Sequence, residues 1–141
     1  MRRTLAAVLG AAILLATTVA SGQLFQADSK RLANSQMDIV VTEIARRARS
    51  SVIEVTINSR GSSVGGSLFI LCSLRQLVEQ RGGHRHIIKV DNQPQRGQMI
   101  VGFLTNPDED PRQIDPDLRR LGPDDTVIDL NQFAEVCKFM K

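Results

Sequence analysis

The first twenty residues decide which part of this chain can fold as a domain. Arg2 and Arg3 are followed by an uncharged, largely apolar run from Leu5 to Ala20, and the next charged residue is Asp28. A basic start, an Ala/Leu-rich stretch and a small-residue exit are the pattern of a secretory signal peptide. We therefore predict that residues 1–20 are a signal peptide cleaved after Ala20, and that only the following residues fold.

The same segment leaves a second hypothesis open. The uncharged stretch from Thr4 to Ala27 is long enough to span a bilayer. Its last third, however, contains Thr, Ser, Gly and Gln, which lower the favourable transfer energy of the segment. We expect an exported protein, periplasmic or secreted, with no membrane span after cleavage. The alternative is a chain anchored to the membrane by its N-terminus.

The chain has two cysteines, Cys72 and Cys137, and both follow the predicted cleavage point. In an oxidising compartment, such a pair is most simply a disulfide. Cys72 lies on the apolar stripe of a helix predicted over residues 67–81, and Cys137 on that of a helix predicted over residues 132–140. Packing the two stripes together would bring the sulfurs close, so we predict a Cys72–Cys137 bridge. A nucleophilic role for either thiol is disfavoured because pairing would consume it.

Residues 21–36 are polar and are predicted to form an N-terminal tail, followed by a single α+β domain over residues 37–141. Met37, Val40, Val41 and Ile44 recur at helical spacing and predict a helix over residues 38–49, although the run from Ile39 to Thr42 also suits the start of a strand. Alternating or β-branched segments predict strands over residues 51–57, 86–90, 98–105 and 126–130, the middle two forming a hairpin. This order predicts a three- or four-stranded, mainly antiparallel sheet with two or three helices packed on one face.

The charge distribution argues against nucleic acid as a partner. The whole chain has 18 basic and 15 acidic residues, and removal of Arg2 and Arg3 leaves 16 against 15. There is no Trp or Tyr to stack on bases. Residues 30–96 are nevertheless basic and residues 97–141 acidic. This pattern indicates two halves that complement each other within one fold. The alternative is that Arg46, Arg47 and Arg49 bind an anionic surface.

One short motif suggests a second, enzymatic hypothesis. Residues 61–65 read G-x-S-x-G between a predicted strand and a predicted helix, which is the setting of a nucleophile elbow. Ser63 would be the nucleophile of a small secreted hydrolase, with His84 or His86 as its base and Asp115 or Asp129 orienting that base. The fold that uses this elbow needs a larger sheet than this chain can build, and its acid precedes its histidine, whereas both histidines here come first.

Metal and cofactor sites are not predicted. His84 and His86 would share one strand face, but spacing implies no third ligand. The acidic residues from Asp108 to Asp117 lack the glycine of a calcium loop and are interrupted by prolines. The sequence therefore assigns no catalytic, cofactor-binding or metal-binding residue. Its leading hypothesis is an exported, disulfide-linked accessory or binding domain without its own catalysis. The partner is unknown, and exported or envelope proteins are the candidate class.

Overall fold

The computed structural model describes residues 22–33, 35–121 and 125–140. The predicted signal peptide lies outside these residues. The six strands of the described chain are β1 (Gln26–Asp28), β2 (Asp38–Arg46), β3 (Ser50–Ser59), β4 (His86–Asp91), β5 (Gln98–Leu104) and β6 (Val127–Asp129). They form one antiparallel sheet in the order β1-β2-β3-β5-β4-β6. The predicted β4–β5 hairpin is present.

One long helix, α1 (Ser63–Gln80), covers one face of this sheet. It begins where the Ser62 side chain accepts a hydrogen bond from the Gly65 N–H, which satisfies one of the free donors of the first turn. It ends before Gly82 and Gly83, whose φ angles of 115° and 75° suit glycine. A second, four-residue helix, α2 (Ala134–Cys137), lies between two 3-10 turns, Leu130–Phe133 and Lys138–Met140. Further 3-10 turns are Ser29–Arg31, Pro111–Gln113 and Pro116–Arg120.

The predicted small sheet with two or three helices on one face is wrong. The sheet has six strands, and the predicted helix over residues 38–49 is the strand β2. Ile39 and Val41 are fully buried, and Glu43 is 1% exposed, so alternate residues of β2 face α1. Ile44 lies on the other face, within a β-bulge between Glu43 and Ala45, and is 41% exposed. Because Glu43 is polar at a buried position and Ile44 is apolar at an exposed one, the apolar residues of this segment recur at the spacing typical of a helix.

The segment predicted to be a polar tail contributes to the sheet. The strand β1 pairs with β2 from Gln26 opposite Thr42 to Asp28 opposite Val40. Phe25 is 4% exposed and belongs to the main hydrophobic core. The fold of the described chain therefore starts several residues before Met37.

The sheet has a hydrophobic core on each face. The larger core lies between the sheet and α1 and includes Ile39, Ile53, Leu74, Leu77, Val101 and Phe103. The smaller one lies on the opposite face, where Leu118 covers Ile88, Val90 and Ile100. Gly102 makes room for it, since a Cβ atom there would be 2.5 Å from Leu118 Cδ1. The acidic loop after β5 thus closes the second face.

The predicted disulfide is present and joins Cys72 on α1 to Cys137 on α2, with the two Cα atoms 5.4 Å apart. That separation lies within the usual range for a bridge. Both residues are buried. The bridge holds the C-terminal helical stretch against α1. No helix among the described residues combines the length and the apolar character that crossing a bilayer requires.

Candidate functional site

The residues of the predicted hydrolase site lie far apart. Ser63 is the first residue of α1, whereas His84 follows its C-terminal end. With a rise of about 1.5 Å per residue, the two helix ends are about 25 Å apart. His86 begins β4, where its Nε2 lies 4.0 Å from Asp129 Oδ2. The structure brings His86 near Asp129 but brings neither histidine near Ser63.

The three arginines of the alternative hypothesis, a patch that binds an anionic surface, all form ion pairs within the chain. These pairs are Arg46 with Glu43 at 2.6 Å, Arg47 with Asp115 at 2.9 Å and Asp117 at 2.7 Å, and Arg49 with Glu109 at 2.5 Å. Three of the four carboxylates belong to the acidic half of the sequence, and the arginines to the basic half. The charge asymmetry of the sequence is therefore compensated inside the fold at this point, the β2–β3 turn.

Glu43 is the most buried charge of this region, with a side chain that is inaccessible to solvent. Burial raises the pKa of its carboxyl group, but hydrogen bonds from Arg46, from Ser51 Oγ at 2.7 Å and from the Phe25 N–H at 3.0 Å outweigh burial and lower the pKa to about 2. The carboxylate is therefore ionised and has hydrogen-bond donors on both oxygens. Its role is to hold the start of the folded chain against β2.

Arg81 connects the end of α1 to the same place. Its side chain is only 9% exposed, and its Nη1 donates to Ser51 Oγ at 2.6 Å and lies 3.3 Å from Glu43 Oε1. Its Nη2 donates to the backbone carbonyl oxygens of Arg47 and Ala48. The guanidinium also lies 4.9 Å from the centre of the Phe103 ring, a favourable cation–π geometry. One side chain thus fixes the C-terminal end of α1 to the β2–β3 turn.

Asp115 fixes the acidic loop in the same way. It is 3% exposed, and it accepts hydrogen bonds from Ser50 Oγ, from Arg47 Nη1 and from the Asp117 N–H. Burial raises its pKa, but these donors outweigh burial and lower the pKa. Arg49 similarly lowers the pKa of Glu109 to about 2. We call these residues the charged cluster: Glu43, Arg46, Arg47, Arg49, Arg81, Glu109 and Asp115.

The charged cluster has the properties of ion pairs that stabilise a fold. A general base or acid that works near neutral pH needs a pKa near neutrality and access to a substrate. The carboxyl groups of the cluster have lowered pKa values, and their oxygens are held by arginine side chains. The His84 ring beside it stacks on Phe103 with ring centres 5.6 Å apart. Within the described residues, no three side chains of the His, Cys, Asp or Glu type gather as metal ligands do.

The opposite end of α1 carries exposed apolar side chains. Val64 is 69% exposed in the first turn of the helix. It belongs to a shallow groove, the α1 groove, lined by Ser63, Val64, Ser67, Leu68, Leu71 and Phe133. Phe139, which is 88% exposed, lines a neighbouring depression beside Ser62 and Gly65. Singly exposed apolar residues are ordinary. Here Val64 shares one groove with the partly exposed Leu68, Leu71 and Phe133, which makes the groove a candidate interaction surface.

Sequence reasoning missed this surface because Leu68 and Leu71 fit the apolar stripe of a helix and were assigned to the core. The one available signal was Val64, which stands in a Gly/Ser-rich turn outside that stripe.

Comparisons with known proteins offer no template for either region: no family model matches the chain, and neither do any curated protein or solved structure.

Proposed function

We propose that the chain is an exported, disulfide-linked domain that binds a partner protein of the same compartment through the α1 groove and has no catalysis of its own. The observation that carries this proposal is the clustering of Val64, Leu68, Leu71 and Phe133 at one end of α1. Large apolar side chains gathered on a surface gain free energy when a partner covers them.

The sequence and the disulfide support the exported location. The basic and apolar first twenty residues have the pattern of a signal peptide, and a disulfide persists in an oxidising compartment. N-terminal sequencing of the protein that the cell accumulates should find a chain that begins near Ser21. An intact Met1 in the membrane fraction would instead support the anchored alternative.

Binding through the α1 groove is tested by cross-linking in the native compartment, with the wild-type chain and two variants as baits. Val64→Asp places a charge in the groove at a position where the helix dipole tolerates an acid. Leu24→Asp makes the same kind of change at a residue that is 45% exposed outside the groove. We expect a partner that cross-links to the wild type and to Leu24→Asp but not to Val64→Asp. Equal capture by all three baits would contradict the proposal.

A further inference from the structure

The strand β3 is longer than the strand beside it, and part of one edge is open. The strand β5 pairs with β3 only from Ser50 to Glu54, and the last contact is the Val55 N–H donating to the Gly97 carbonyl oxygen at 2.9 Å. On its other side, β3 is paired with β2 as far as Ser59. Among the described residues, no strand lies beside the second half of β3 on the β5 side.

The backbone groups at this edge are directed outward. Alternate residues of a strand direct their N–H and C=O groups to the same side. The Val55 N–H points to the β5 side, so the N–H and C=O of Ile57 do so as well. Ile57 pairs with Ile39 of β2, and the Ile39 N–H donates to Ser29 Oγ on the far side of β2. The backbone groups of this pair therefore point away from each other, as the direction of Ile57 requires. The Val55 carbonyl and both Ile57 groups therefore form a short template for another strand.

The α1 groove lies on the same side as this edge. Val64, Leu71 and Val78 are seven residues apart, so they share one flank of α1. Val78 lines a depression with Arg85 and Leu130, at the side of the molecule where β4 and β6 lie. That flank therefore faces the β5 side of β3 along the whole helix.

The direction of α1 places the groove above the open half of β3. Arg81, just after the helix, contacts Ser50 and Ser51 at the start of β3. The helix begins four residues after β3 ends. The two elements thus run in opposite directions. The first turns of α1 pack on β2, where a Cβ atom at Gly66 would be 3.3 Å from Ile39 Cδ1, and Ile39 pairs with Ile57 in the second half of β3.

The charges at the two ends of the edge define the partner further. Arg60 directly follows β3, and Arg96 lies at the tip of the β4–β5 hairpin, next to Gly97. Both are exposed, and neither has an ion-pair partner among the described residues. The charges of Lys89 and Asp91 in β4 neutralise each other, with Lys89 Nζ 2.5 Å from Asp91 Oδ2. Acidic residues of a partner would complement the two arginines.

We propose that an extended segment of the partner protein adds to β3 as a further strand of the sheet, placing alternate apolar side chains in the α1 groove and acidic residues near Arg60 and Arg96. This inference rests on the proposed function and names its binding mode. Main-chain hydrogen bonds to an exposed strand edge supply affinity in this mode, and the pockets for alternate side chains supply specificity.

The probe for this proposal is a phage-displayed library of short random peptides, selected on the purified chain in the form that the cell accumulates. We expect the selected sequences to alternate apolar with polar residues and to carry Asp or Glu at their ends. The best peptide is then synthesised with N-methyl groups on alternate residues in each of the two registers. Methylation in the register that faces β3 should weaken binding about tenfold or more, because it removes the donors to the β3 carbonyls, and the other register should bind almost unchanged.

Amide hydrogen exchange locates the contact independently. Peptide binding should slow exchange of the Ile57 N–H by about tenfold or more. The Thr56 N–H faces β2 and serves as the internal control, since its protection should not change. Arg60→Glu together with Arg96→Glu should weaken binding of the acidic peptide. The control variant Arg31→Glu should have little effect on that binding.

The outcomes separate this inference from the function on which it rests. If peptide binding depends on Val64 but is indifferent to the register of methylation and to Ile57 exchange, the strand-addition proposal is wrong and groove binding stands. If no peptide and no cross-linked partner depends on Val64, both proposals fail. A concentration-dependent dimer that Val64→Asp abolishes would identify a second copy as the occupant and overturn the partner-segment proposal.

Discussion

At the C-terminal end of α1, Arg81, Glu43 and Asp115 lie among hydrogen-bond donors and acceptors supplied by the chain itself. At its N-terminal end, Val64 is exposed, and no described strand lies on the β5 side of the second half of β3. The charged cluster satisfies its own polar groups internally, with residues that are far apart in the sequence. The second region presents apolar side chains and, within the described residues, an unpaired backbone edge. The comparison indicates that the conspicuous charges stabilise the fold, and it is the reason that we propose binding at the less conspicuous end.

The largest expected effect comes from the bridge that holds the C-terminal stretch, with Phe133 and Phe139, against α1. The bridge closes a loop of 65 residues, so replacing both cysteines by alanine should cost about 4 kcal/mol of unfolding free energy and lower Tm by about 15 °C. Calorimetry measures this loss. Hydrogen exchange should rise over α2 before it rises at the β2–β3 turn. A drop of only a few degrees would show that the C-terminal stretch is held by other contacts.

The next effect concerns the charged cluster. Glu43→Gln removes the charge that Arg46 and Arg81 share and should cost about 3 kcal/mol. Glu79→Gln, at an exposed pair with Arg75, is the matched control and should cost less than about 0.5 kcal/mol. Chemical denaturation at neutral pH distinguishes the two variants.

The same variant has a pH signature. The folded pKa of Glu43 is about 2, below its ordinary value of 4.5, so its contribution to stability is complete above pH 4.5 and is lost as the pH falls toward 2. The stability difference between wild type and Glu43→Gln should therefore shrink over that range. A difference that stays constant from pH 5 to about pH 2 would exclude the charge as its cause.

A smaller effect is expected where the acidic loop closes the second face of the sheet. Gly102→Ala places a Cβ atom 2.5 Å from Leu118 Cδ1 and 3.2 Å from Ile88 Cγ2, which should cost about 2 kcal/mol through overpacking. In a Leu118→Ala background the same change should cost less, because the clash is removed. Urea denaturation of the wild type, the two single variants and the double variant gives the coupling free energy between residues 102 and 118. Additive costs would contradict the proposed contact.

The smallest effect on stability is expected at the open end. Val64→Asp should change the unfolding free energy by less than about 0.5 kcal/mol, since the side chain is exposed. Leu74→Asp on the same helix, where the side chain is 1% exposed, should prevent folding. Thermal denaturation of both variants tests this contrast. If Val64→Asp is strongly destabilising, the chain itself covers the α1 groove.

The parts of the fold that follow from local pattern were predictable from the sequence, and the parts that depend on distant residues were not. The stripe that contains Cys72 identified α1, and together with Cys137 it identified the disulfide. The strand β2 was not recognised because Glu43 occupies a buried position that only its partners 3 to 38 residues away make acceptable. The strand β1 has three residues, two of them polar, and carries no periodic signal of its own.

The candidate site was even less accessible to sequence reasoning. An open edge exists because β3 is longer than β5, and no single segment contains the information on relative strand length. The pairing of Arg47 with Asp115 spans 68 residues, so the sequence predicted complementary charges in the two halves and left a free basic patch open as the alternative. Sequence indicated that the two halves differ in charge, but only the structure showed where the charges meet.

The hydrogen bonds around Glu43 also determine how the molecule is presented to its surroundings. The carboxylate holds the Phe25 N–H, and Arg46 donates to the Gln23 carbonyl oxygen at 3.4 Å, so the described chain enters the fold at the end where the charged cluster lies. The α1 groove is at the other end of the helix. A tag or another protein fused directly before Gly22 would join at the charged-cluster end, away from the groove. A fusion at this terminus should therefore leave the groove accessible and aim it outward from the attachment point.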